Sequence, residues 1–166
     1  RDLSSQQMQI IEQLDDDIDE IVAPNLESLE AFSDQKFHFV NKLHAPNVGN
    51  LGQFPFISVG QLVLTNLKRI EEDSFTCFYN LQHIELPNAE GSIESSFHEC
   101  VSMQTAVIPK IVKISHSFKK CYDLTYLEAD SLVAIDDSFG DEYQSSKHLF
   151  VEIQVDTSKN KICQDF

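Results

Sequence analysis

Residues 81–103 run LQHIELPNAEGSIESSFHECVSM, and the reading of this stretch decides the fold. Leu81, Ile84 and Leu86 are spaced apolar, two residues, apolar, one residue, apolar, and Pro87 follows at once. The alternation of Ile84 and Leu86 at period two predicts a strand. Proline has no N–H to give a sheet ladder, so Pro87 marks where the strand stops and the chain turns. Ala89, Ile93 and Phe97 come next, before the pattern restarts at Met103. One such unit offers six apolar positions, too few to fold alone and enough to stack on copies of itself.

Copies lie on both sides. Phe32, Phe54, Phe75, Phe97, Phe118 and Phe139 follow each other at spacings of 22, 21, 22, 21 and 21 residues. The strand triplet recurs as Ile18/Ile21/Ala23, Val40/Leu43/Ala45, Val59/Leu62/Leu64, Met103/Ala106/Ile108, Leu124/Leu127/Ala129 and Phe150/Ile153/Val155. Leu26/Leu29, Val48/Leu51, Leu67/Ile70, Ile111/Ile114 and Leu132/Ile135 repeat the Ala89/Ile93 pair. Self-similarity at this period predicts a solenoid, in which each turn buries its apolar face against its neighbours. The array is expected over residues 18–156, about six repeats. An amphipathic helical cap or degenerate repeat is expected over 1–17, from Ser4 with Gln7 and then Met8, Ile11 and Leu14 on one face. A cap or tail is expected over 157–166, and a longer convex-side loop at Gly140–Ser146.

The motif Leu81-x-x-Ile84-x-Leu86-Pro87, with Ile93 and Ser96-Phe97-x-x-Cys100-x-x-Met103, resembles the leucine-rich repeat family. More narrowly it is similar to the BspA-type repeat, written roughly I-x-x-x-A-F-x-x-C-x-x-L-x-x-I-x-L-P. Serine stands for the usual alanine in Ser74-Phe75, Ser96-Phe97, Ser117-Phe118 and Ser138-Phe139. The resemblance implies an α/β leucine-rich-repeat solenoid, a right-handed superhelix with a concave parallel sheet and short helices or turns on the convex side. It also implies adhesion-type modules at cell surfaces, or intracellular scaffolds of the same fold.

Composition narrows the function classes. The net charge of −15 repels phosphate backbones and anionic lipid, so neither nucleic acid nor a membrane surface is an expected partner. Seven acidic residues lie in the first twenty positions, so part of that charge is local. No apolar run reaches the roughly 18 residues of a membrane-spanning helix. With 42% hydrophobic and 23% charged residues the chain fits a folded repeat protein rather than a disordered one. The cell surface and the cytoplasm both stay open.

No pattern nominates a catalyst, cofactor or metal. His38, His44, His83, His98, His116 and His148 share no metal-ligand spacing, and there is no glycine-rich phosphate loop. Asp15, Asp17 and Asp19 imitate the opening of a calcium loop, but Glu20 and Leu26 stand where glycine and glutamate are required. Four cysteines could form two disulfides in an exported protein. Alternatively Cys77, Cys100 and Cys121 are small buried hydrophobes stacked in one column, which their place after successive phenylalanines favours.

The remaining candidate is the concave face, built from residues between the inward ones. One column is Glu20, Lys42, Gln61, His83, Thr105, Tyr126 and Glu152; the next is Val22, His44, Val63, Glu85, Val107, Glu128 and Gln154. His83, Glu85, Val107, Tyr126 and Glu128 form its middle, where an aromatic and a valine stripe beside carboxylates suit a protein interface. Valine also favours strands whether or not anything binds it. The expected function is non-catalytic recognition of a protein partner, with an intracellular scaffold or regulatory subunit as the alternative.

Overall fold

The computed structural model describes residues 18–29, 39–49, 51, 58–139 and 152–154. The helix expected over 1–17, Phe32, Phe54, the loop expected at Gly140–Ser146, Cys163 and the cap expected over 157–166 lie outside the described residues.

Each apolar triplet contributes one strand of a large parallel sheet: β1 (Ile18–Val22), β2 (Val40–His44), β3 (Val59–Val63), β4 (His83–Glu85), β6 (Thr105–Val107), β8 (Tyr126–Glu128) and β10 (Glu152–Gln154). A second, three-stranded parallel sheet is made by β5 (Glu90–Glu94), β7 (Lys110–Ser115) and β9 (Ala134–Asp136). Strands of one sheet are consecutive turns of a single coil, so the architecture is a parallel β-solenoid. Leu43, Leu62, Ile84, Ala106 and Leu127 pair in one line across the large sheet. A slip of one residue would turn that whole line out to solvent, and this is what holds the register. The line survives the shortest turn, where Lys42 pairs with Gln61 although only 19 residues separate them.

Pro24, Pro46 and Pro87 each follow a strand and open a β-turn, closed by Leu26 N–H on Ala23 O, Val48 N–H on Ala45 O and Ala89 N–H on Leu86 O. Their fixed φ suits the first central position of such a turn. An asparagine follows each of them. Asn47 Nδ2 donates to Pro24 O (2.5 Å), Asn66 Nδ2 to Asn47 Oδ1 (3.0 Å) and Asn88 Nδ2 to Thr65 O (2.9 Å), tying each turn to the one before.

The phenylalanine column is a true stack. Phe75, Phe97 and Phe118 are fully buried, with ring centroids 5.1 Å apart and planes within 4° and 9°. Phe139 continues it at 5.9 Å and is half-buried. Serine before each ring answers a specific need: the Ser96, Ser117 and Ser138 hydroxyls are buried and donate to backbone carbonyls, those of Glu94, Ser115 and Asp136 respectively. The corner is tight. Residues two before each phenylalanine (Asp73, Ser95, His116, Asp137) and two after (Cys77, Glu99, Lys120) all have positive φ, between 37° and 65°.

Two expectations need correction. Among the described residues there is no α-helix opposite the large sheet; turns and the three-stranded sheet stand there instead. An isolated helix needs a dozen residues or so to be worth nucleating, and only about six separate the proline turn from the Phe corner. Segments rich in β-branched residues, such as Ile111-Val112-Lys113-Ile114, prefer extended backbone in that space. The cysteines do not share one column either. Cys100 and Cys121 are buried three residues after their rings, where Phe78 stands in the turn before. Cys77 lies one residue earlier, half-buried, with the positive φ of Glu99 and Lys120.

Candidate functional site

The strand alternation that buries Ile84, Ala106 and Leu127 turns their neighbours outward, and the pairing fixes which of them meet. Glu20, Lys42, Gln61, His83, Thr105, Tyr126 and Glu152 are successive partners across the large sheet. Val22, His44, Val63, Glu85, Val107, Glu128 and Gln154 form the second line in the same way. All five residues singled out from the sequence therefore lie on one face, on adjacent strands β4, β6 and β8. Each is half-buried.

Their local bonding differs. His83 Nδ1 is hydrogen-bonded to Thr105 Oγ1 on the next strand. The Tyr126 hydroxyl donates to Gln154 Oε1 at 2.7 Å and reaches Glu128 Oε2 at 3.5 Å. Burial, and then the charge of Glu128, holds the Tyr126 phenol above its ordinary range, so it remains a neutral donor. Lys42 pairs with Glu20 at 3.2 Å at the β1 end of the face. Among the described residues neither Glu85 nor Glu128 has a cation partner. From β4 onward the two lines carry Glu85, Glu128 and Glu152 and no lysine or arginine.

Among the described residues no group of three or more His, Cys, Asp or Glu side chains is placed to hold a metal ion. No helix among them is long and apolar enough to cross a membrane. The face offers carboxylate acceptors, a hydrogen-bonded phenol and aliphatic surface between them.

A second group, on the Phe corner, was not read from the sequence. Glu99 accepts from Lys120 Nζ (2.6 Å) on one oxygen and from Cys77 Sγ (3.6 Å) on the other. The Lys120 hydrogen bond holds the Glu99 carboxyl below its usual range, while the Cys77 thiol beside Tyr79 raises the phenol. The available signal was the offset of two and four residues from each phenylalanine, which puts Cys77, Glu99 and Lys120 in one line and Tyr79, Val101 and Tyr122 in another. Compared with known proteins, the chain matches no family model, no curated protein and no solved structure.

Proposed function

We propose that the chain is a non-catalytic recognition module that binds a protein partner on the outer face of its large sheet, centred on His83, Glu85, Val107, Tyr126 and Glu128. One observation carries this reading: two unbroken lines of outward side chains run across seven strands in register, with aliphatic and aromatic surface set among carboxylates. At about 4.8 Å per strand the face is about 29 Å long. The leucine-rich, BspA-type resemblance of the repeats supports the same reading and adds the adhesion-type role at a cell surface.

An intracellular scaffold is the second reading, favoured by one observation. Cys100 and Cys121 are buried as free thiols, each donating to a carbonyl of the preceding turn (3.0 and 3.1 Å). Such thiols suit a reducing compartment, and counting free thiols on native material separates the two readings. The binding face is tested by comparing what wild-type and Glu85→Lys/Glu128→Lys protein retain from native extract. A partner retained severalfold less by the variant supports the face; equal retention removes it.

A further inference from the structure

We infer that the partner contacts this face through an extended, basic segment whose two cationic side chains are spaced to reach Glu85 and Glu128. This rests on the recognition function proposed above and names the chemistry of the partner. Glu85 and Glu128 occupy the same line, one strand apart on either side of Val107, which sets them about 10 Å from each other. Both are half-buried, and neither meets a cation among the described residues. Among the described residues no group of three or more His, Cys, Asp or Glu side chains is placed to hold a metal ion there. Their separation matches a chain crossing the strands with a cation at every third residue in polyproline II form, where such residues share a side and lie about 9 Å apart.

The rest of the face fits the same occupant. Val107, between the two carboxylates, offers aliphatic surface to the stem of a lysine or arginine. Tyr126 stands two residues before Glu128 on β8, so a guanidinium on Glu128 can also lie against the phenol ring. Lysine and glutamate already pair at the β1 end, through Lys42 and Glu20. Among the described residues the carboxylates with no cation partner begin at β4, and that polarity sets where the segment docks.

The probe is a fluorescent Arg-Pro-Pro-Arg peptide, read by anisotropy against the full chain. A peptide of the same composition with adjacent arginines, and one with glutamates for arginines, serve as comparisons. Saturable binding is expected at low salt, weakening about fivefold by physiological ionic strength. The spaced arginines should bind better than the adjacent pair, and Glu85→Gln/Glu128→Gln should weaken binding about tenfold. Equal binding by the adjacent pair, or by the double variant, overturns the inference, as does no binding at low salt. Val107→Arg separates this failure from failure of the recognition function. If that variant abolishes capture of a partner while the peptide never binds, the face recognises something other than a basic segment. If neither capture nor peptide binding responds to any change on the face, both are overturned.

Discussion

Replacing Phe97 with alanine tests the solenoid at its centre. The ring is fully buried and covered on both sides, by Phe75 and Phe118, each at 5.1 Å and nearly parallel to it. Core phenylalanine truncations cost about 3–5 kcal/mol, more where the surroundings cannot close on the cavity. Two flat rings held by separate turns cannot move together without breaking the register of the turns that carry them, so the upper part of that range is expected. A protein of this size has roughly 5–15 kcal/mol in all, and the melting temperature should fall by roughly 10–15 °C. The damage should also be shared, because turns stabilise only their neighbours. Urea unfolding gives the free-energy loss, and amide exchange should show protection falling on the Phe75 and Phe118 turns together. Phe139→Ala, at the half-buried end of the described stack, should cost distinctly less. A Phe97→Ala loss below about 1 kcal/mol, or one matched by Phe139→Ala, would contradict the stacking argument.

Ser95 holds a φ of 49°, a conformation that disfavours any side chain, so Ser95→Gly should raise stability by about 1 kcal/mol in urea unfolding. Glu99 and Asp137 are both held below the usual carboxylate range, by hydrogen bonds from Lys120 and Lys119 respectively. Folded values below unfolded ones mean their contribution is complete above roughly pH 4–5 and is lost as pH falls through the folded values. Lys120→Met should therefore flatten the acid limb of the stability–pH curve, and an unchanged limb would show that the pair is idle. In a Cys163→Ser background, Cys77 should react with a thiol reagent within the folded state, whereas Cys100 and Cys121 should react only at the rate of global unfolding.

How much of this was legible follows from which contacts have a period. The inward lines and both outward lines could be read directly, because stacking forces equivalent residues into register and a parallel sheet pairs them one to one. The second sheet could not. A spacing of three between apolar residues, as in Ile111/Ile114 or Leu132/Ile135, suits one turn of helix and a short curved strand equally. The positive-φ corners carried no glycine to announce them, since Asp73, Ser95, His116, Cys77, Glu99 and Lys120 fill those places. Cys77 stands two residues after its phenylalanine and Cys100 and Cys121 stand three after theirs, an offset the sequence does carry; the positive φ at the second position is what makes that one residue decide between corner and core. The asparagine ladder was visible at spacings of 22, 19 and 22 in Asn25, Asn47, Asn66 and Asn88.

The same geometry separates folding from the recognition proposed for the face. Along β4, β6 and β8 the middle residue of each strand is sealed and the two flanking residues are half-open. Register is therefore fixed by Ile84, Ala106 and Leu127, and the flanking positions can change without moving it. Surface substitutions away from special features usually shift stability by less than about 0.5 kcal/mol. A change at Glu85 or Glu128 that alters binding can then be assigned to the proposed interface, which no substitution in the phenylalanine stack allows. His83 and Tyr126 are different in degree, since each is bonded to a neighbouring strand through Thr105 or Gln154. Their replacement would loosen the sheet edge-to-edge as well as the face. The carboxylates are thus the clean probes of the face, and Phe97 is the clean probe of the fold.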